Sequence, residues 1–265
     1  MRAKKLEGDN MSKVDLNCDL GESFGSYKIG NDSEIIKLIT SANVACGSHA
    51  GDPIVMGKTV AFAKASGIEV GAHPGYPDIQ GFGRRNMALS PSEAKAYVMY
   101  QVGALMAFCK AEGISMQHVK PHGALYNTAA KNADLALAIA EGVKAINPEL
   151  ILMGLAGSES IKAAQSIGLR TASEVFADRA YEDDGALRAR TKEGAMITDE
   201  DEAIRRVLRM VKEGKVTAYS GNDIDIKADS ICVHGDGEKA LLFVQKIREE
   251  LTKNGVEIAP IKSFV

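Results

Sequence analysis

Asn43-Val-Ala-Cys-Gly-Ser-His-Ala-Gly-Asp52 is the stretch from which the fold is read. Ser41 to Cys46 has the size and composition of a short strand, and it breaks at Gly47. His49 and Asp52 then fall on either side of Gly51, and Pro53 opens a helix to Ser66. Proline is favoured in a first helical turn, where its missing N–H would have gone unpaired anyway. Polar side chains thus leave a strand at its C-terminal end, just ahead of a helix. The same order recurs along the chain.

Upstream, Val14, Leu16 and Cys18 alternate with Asp15, Asn17 and Asp19, which predicts a first strand with one polar face. A loop with Gly21, Glu22 and Gly25 leads to a short helix over Asn31 to Thr40. Downstream, Glu69 to His73 is a third strand, held extended at its end by Pro74. The loop His73-Pro-Gly-Tyr-Pro-Asp78 and Gly81-Phe-Gly-Arg-Arg85 follows, and Ser90-Pro-Ser-Glu93 has capping-box spacing for a helix to about Glu112. Gln117 to Pro121 reads as a fourth strand with His118, Lys120 and His122 on one face, then a helix from Ala124 to Ile146 interrupted near Asn132. Further strands are expected over 150–155, 170–176, 230–234 and 256–259, and helices over 158–166, 199–212 and 238–254. About seven strand–helix units with no linker predict an α/β fold with a parallel sheet closed into a TIM-like (β/α)7 barrel. Residues 13–265 are expected to form this single domain, after a disordered or extended lead-in over residues 1–12.

Composition narrows the partners. With 45% apolar and 25% charged residues the chain has the make-up of a globular protein, and its net charge of −3 argues against nucleic acid. No apolar run is long enough to span a bilayer and no signal-peptide core precedes the fold, so no membrane is expected. Cys18, Cys46, Cys109 and Cys232 lie far apart with no C-x-x-C pair, which fits reduced thiols in a cytoplasmic protein.

In barrels of this kind the chemistry sits at the C-terminal ends of the strands. There stand Asp19 and Glu22, His49 and Asp52, His73, Lys120 and His122, Glu174 and Asp178, and His234 and Asp236. A histidine between glycines has little to pack against, so His49 with Asp52 reads as functional rather than loop-stabilising. Asp15 and Asn17, lower on their strand, read first as structural hydrogen-bonders, and Cys46 as a small buried hydrophobe. Lys120 inside a strand needs a ligand or a carboxylate, with Asp15 or Glu174 within reach. Arg84 and Arg85, flanked by glycine, suit a carboxylate or phosphate. Two chemistries stay open: a divalent metal on His/His/Asp, or a carboxylate or histidine base with Lys120 polarising a carbonyl.

Six segments carry a resemblance: Asp15-Leu-Asn-Cys-Asp-Leu-Gly-Glu22, Asn43 to Asp52, Gly71-Ala-His-Pro-Gly-Tyr-Pro-Asp78, Gly81 to Arg85, Val119-Lys-Pro-His-Gly-Ala-Leu-Tyr-Asn127, and Glu174-Val-Phe-Ala-Asp-Arg-Ala-Tyr181. Together, in this order, they resemble the LamB/YcsF family of 5-oxoprolinase A subunits, from about Val14 to the C-terminus. The resemblance implies ATP-dependent opening of 5-oxo-L-proline to L-glutamate, with ADP and phosphate as co-products, in company with separate B and C subunits. It implies a glycoside hydrolase/deacetylase-like barrel, whose superfamily uses Asp and His as metal ligands; Asp19, His49 and His122 are the matching candidates for a divalent metal. The chain has no Walker A motif, so ATP is expected to act through the complex. On this reading the partners activate the lactam and the barrel opens it with water. Catalysis falls to Asp19, His49, Lys120 and His122. Substrate contacts are expected from Asn17, Glu22, His73, Arg84, Arg85, Glu174, Asp178, Arg179 and His234. A stand-alone metal-dependent deacetylase or amidohydrolase of the same fold is the alternative; a non-catalytic docking role comes after it.

Overall fold

The structure, a computed structural model, describes residues 11–234 and 238–265. Residues 1–10 of the expected lead-in, and Asp236, lie outside them. Six strands come first: β1 (Lys13–Leu20), β2 (Ser41–Ala45), β3 (Glu69–His73), β4 (His118–Val119), β5 (Ile151–Leu155) and β6 (Thr171–Phe176), each parallel to the next. After an antiparallel hairpin of β7 (Lys215–Thr217) and β8 (Asp223–Asp225), β9 (Ser230–Cys232) pairs with both β6 and β1. That double pairing closes a barrel of seven parallel strands. The last strand, β10 (Glu257–Ile258), adds to the N-terminal end of β1.

The helices α1 (Asp32–Ile35), α2 (Pro53–Ser66), α3 (Pro91–Glu112), α4 (Gly123–Ala129), α5 (Ala133–Ile146), α6 (Glu159–Ser166), α7 (Glu200–Glu213) and α8 (Glu238–Lys253) accompany the barrel. Local chemistry sets their ends. The Ser90 hydroxyl accepts from Glu93 N–H at 3.3 Å while the Glu93 carboxylate accepts from Ser90 N–H at 2.8 Å, so the capping box is made, worth about 1 kcal/mol. Gly113, at φ 71°, stops the same helix. Asn132 separates α4 from α5 and caps the latter by accepting from Leu135 N–H at 3.0 Å. No helix among the described residues is long and apolar enough to cross a membrane.

Val14, Leu16, Cys18 and Leu20 of β1 are buried in the large apolar cluster. A fully buried leucine such as Leu16 contributes about 1.5–3 kcal/mol. The alternate residues Asp15 and Asn17 are fully buried in the polar lumen. At one end Ile261 packs with Ile151, Met153 and Ala172 and with Phe264. The hairpin β7–β8 was not expected: three-residue strands carry too little alternation to be seen. The helix expected over Asn31 to Thr40 is one turn, followed by a 3-10 turn over Ile36–Leu38.

Candidate active site

The lumen below the mouth is a closed hydrogen-bond network. Asp15 Oδ1 accepts from the hydroxyls of Thr40 (2.6 Å) and Ser41 (2.5 Å), and Asp15 Oδ2 from Ser230. Burial pushes the Asp15 carboxyl up to about 6, against the pull of those three hydroxyls. Asn17 Nδ2 donates to Ser230 Oγ at 2.8 Å, and Asn43 Nδ2 donates to Asn17 Oδ1 at 2.8 Å and Asp19 Oδ1 at 2.9 Å. Gln117 Nε2 lies 3.1 Å from His118 Nδ1, and His118 Nε2 lies 2.7 Å from Asn43 Oδ1. An amide N–H only donates, so His118 is neutral with its hydrogen on Nε2. Burial and then Lys120 push it down to about 3. Gly71 makes this ring possible, since a Cβ there would lie 2.2 Å from His118 Nε2.

Above this network sits Lys120. Its Nζ is 2.8 Å from Glu174 Oε1, 3.2 Å from Asp19 Oδ1 and 3.0 Å from Asn17 Oδ1. Burial opposes its charge, but Asp19 and Glu174 outweigh burial and hold the ammonium well above its ordinary value. Of the partners expected from sequence, Glu174 is the one Lys120 finds, together with Asp19. Asp19 is itself held well below the carboxylate range: burial would raise it, and His73 and Lys120 overcome that.

At the mouth, Glu22, His49, His73 and His122 each present one donor atom, all within 4.8 Å of one another. His73 Nδ1 is 2.7 Å from the Lys120 carbonyl oxygen, and His122 Nε2 is 2.9 Å from that of Phe82. A carbonyl only accepts, so those nitrogens carry the hydrogens. In the neutral rings His73 Nε2 and His122 Nδ1 then face each other as lone pairs, 2.9 Å apart. Asp19 Oδ2 lies 3.2 Å from His73 Nε2, and Glu22 Oε1 lies 3.8 Å from His122 Nδ1. Two ring lone pairs and a carboxylate oxygen of Asp19 converge with no donor between them. The cluster is therefore short of one positive centre: a proton on His73 Nε2, or a metal ion.

A metal fits. Tetrahedral zinc with ligands at 2.0–2.2 Å separates its donor atoms by about 3.3–3.5 Å, close to the spacings here. Imidazole and carboxylate donors suit a first-row divalent ion, and a carbonyl behind each ring is the support that metal-binding histidines receive. Of the expected ligands, His49 and His122 stand in this group with Glu22 and His73, both expected at substrate; Asp19 stands beside it, 3.2 Å from His73 Nε2. His49 is set differently. Its Nε2 faces Glu22 Oε1 at 3.3 Å, its buried Nδ1 has no partner, and its ring stacks on His122 at 3.6 Å. Burial, then His122 and His73, push it well below the ordinary histidine value. Burial and His73 push His122 down to about 3.

The loop after β3 shapes this mouth. Phe82 is the one non-glycine residue with φ above zero among those described (53°), and the strained turn aims its carbonyl at His122. A Cβ on Gly83 would lie 2.7 Å from His49 Cβ and 2.9 Å from His122 Cδ2. Gln101 of α3 pins Gly75 beneath His49 through two 2.9 Å bonds.

Asp52 does not pair with His49. It caps α2, accepting from Ile54 and Val55 N–H at 2.8 and 2.9 Å, and accepts from Gly25 N–H at 2.9 Å. Arg85 is forked onto Asp78, whereas Arg84, with no ion pair among the described residues, lies 5.2 Å from the Phe82 ring centre. Asp178 faces His234 at 3.5 Å. Asn17 and Glu174 are fully buried under Lys120. A cleft of about 800 Å³ opens above, with Asp19, Lys120 and Cys232 among its lining, as well as Arg84, Arg179 and Tyr126. Asn43, Phe82 and Tyr126 were missed. Phe82 between Gly81 and Gly83 was the one signal available for any of them.

Comparison with known proteins agrees with this fold. The LamB/YcsF family model matches residues 14–265. The A subunit of 5-oxoprolinase from Clostridium beijerinckii is 67% identical over 95% of this chain and 98% of its own. That of Bacillus subtilis is 58% identical, with the same shares covered, 95% and 98%. The crystal structure of the lactam utilization protein from Thermus thermophilus superposes with a TM-score of 0.88 at 50% identity, covering 93% of this chain and 99% of that one. With its barrel and its family motifs matched over nearly the whole length, the chain belongs to the LamB/YcsF family.

Proposed function

We propose that this chain is the ring-opening subunit of a 5-oxoprolinase, converting 5-oxo-L-proline to L-glutamate with separate B and C subunits that couple the reaction to ATP. The observation that carries the reading is the cluster of Glu22, His49, His73 and His122, with Asp19 against His73, beside a cationic cleft, in a chain 67% identical to a relative named as the A subunit of a 5-oxoprolinase. A monoanionic lactam needs both parts, a cationic wall for its carboxylate and a polarising centre for its amide.

Opening the ring adds a water oxygen to the lactam carbonyl carbon, breaks the carbon–nitrogen bond and delivers a proton to the nitrogen. Glu22, His49, His73 and His122 would hold a divalent cation, which when bound supplies a Lewis acid for a carbonyl oxygen or a water. Lys120 and Asn43 grip Asp19 Oδ1, so that Oδ2 points at His73. Arg84, with no carboxylate partner among the described residues, takes the substrate carboxylate; Arg85 is committed to Asp78. His49, whose Nε2 faces Glu22 and whose Nδ1 is buried against Gly75, orients Glu22 rather than meeting water. The proton carrier is Asp19, which lines the cleft and turns Oδ2 to His73, taking a proton from water and passing it to the leaving nitrogen. ATP is handled by the partners.

The test is glutamate release from 5-oxo-L-proline by the chain alone, with the B and C subunits, and with ATP present or absent. Release only with all subunits and ATP supports the proposal. Release by the chain alone contradicts the division of labour. Release under no condition, with hydrolysis of simple amides or acetylated sugars instead, moves the reading to a stand-alone amidohydrolase.

A further inference from the structure

The loop after β6 carries three arginines, and they are not alike. Arg188 is neutralised: its guanidinium is 3.0 Å from Glu182 Oε1 and stacks 3.5 Å above the Tyr219 ring. Arg179 and Arg190 have no ion pair among the described residues, and both line the cleft. Arg179 is only 7% exposed. One of its nitrogens donates to the Arg188 carbonyl at 2.7 Å, while its buried Nε has no hydrogen-bond partner. Asp178, the adjacent carboxylate, is turned to His234 at 3.5 Å. The buried Arg179 guanidinium feels the charge of Arg190, and Asp178, shared with His234, offsets it only in part, which is costly unless an anion arrives.

Charge decides which anion. On the function proposed above, 5-oxo-L-proline brings one carboxylate, and Arg84 on the other side of the mouth suffices for it. Two adjacent guanidiniums match a dianion better than a second carboxylate, and arginine forks suit phosphate oxygens. We infer that Arg179 and Arg190 form a phosphate-binding subsite beside the lactam site, for a phosphoryl group carried on the activated lactam or for free phosphate. The inference rests on the proposed function for its source of phosphate, not for the existence of the subsite.

The test is calorimetric binding of inorganic phosphate to the full chain at low ionic strength, with acetate as the monoanion control. Phosphate is expected to bind, and Arg190→Gln, at an exposed position that burial does not constrain, to weaken it about tenfold or more. Arg84→Gln is expected to leave phosphate affinity within about twofold and to weaken 5-oxo-L-proline instead. No phosphate binding, acetate binding as tightly as phosphate, or an Arg190→Gln affinity equal to wild type overturns the subsite. Because phosphate alone is the probe, the result stands even if lactam opening fails its own test. In the reassembled enzyme, Arg190→Gln separates the two sources. More ATP consumed per glutamate released assigns the subsite to a phosphoryl group on the lactam. An unchanged ratio with weakened phosphate inhibition assigns it to free phosphate.

Discussion

The lower lumen and the mouth of this barrel are built from the same residue types, yet they end differently. Below, Asp15, Asn17, Asn43, Gln117 and His118 each meet the complementary partner, donor to acceptor. Above, among the described residues, His73 Nε2, His122 Nδ1 and Asp19 Oδ2 converge with no donor between them, and His49 Nδ1 has no hydrogen-bond partner. A polar group buried without a partner costs about 1–3 kcal/mol, so folding alone removes such arrangements. Where several persist together, as at the mouth, a ligand is the simplest completion. The lower network is architecture, and the mouth is where chemistry is held ready. Lys120 and Glu174 join the two levels.

The contrast can be broken first at that junction. Glu174→Ala strips Lys120 of its 2.8 Å partner, and chemical denaturation should show a loss of about 3–5 kcal/mol. A loss under about 1 kcal/mol would mean that Asp19 alone satisfies the lysine. The next effect is a pH slope. The folded Asp15 carboxyl is raised to about 6 from 3.8, so the folded state keeps its proton longer than the unfolded chain. Its contribution is fully present below pH 3.8 and is lost as pH rises through about 6, on the order of 3 kcal/mol. Asp15→Asn should flatten that slope in denaturation curves between about pH 4 and 6.5, and an unaltered slope would place its origin elsewhere.

Gly71→Ala sharpens the lower half. Its Cβ would meet the His118 ring at 2.2 Å, and the overpacking should cost about 1–3 kcal/mol while metal content stays at the wild-type level. The smallest effect expected is at Asp52. Asp52→Ala should cost about 1 kcal/mol as a lost helix cap and leave glutamate release near wild type. A collapse of turnover without further loss of stability would return Asp52 to the site.

The fold was legible because its signals are local. Proline after Asp52, the Ser90–Glu93 box and the alternation of Val14 to Asp19 each act within one element, and each element forms as read. The members of the candidate site could also be named from the sequence, since polar residues at strand ends have few structural uses. Its wiring was not. Which arginine of Arg84 and Arg85 is free depends on Asp78, seven residues before Arg85 yet folded back onto it. The His73–His122 pair depends on which carbonyl stands behind each ring, and one of those carbonyls belongs to Phe82 in a backbone conformation that only its glycine neighbours hint at. Asp52 looked functional because a helix cap and a catalytic carboxylate share the same sequence pattern ahead of a helix.

The most direct test of the mouth as the reacting centre is glutamate release by the chain assembled with the proposed B and C subunits and ATP, wild type against His122→Asn. Stability and metal content are measured on the same samples. The account predicts a folded variant that has lost bound metal and releases glutamate about 10²–10³-fold more slowly. A folded His122→Asn assembly that releases glutamate at the wild-type rate would contradict it.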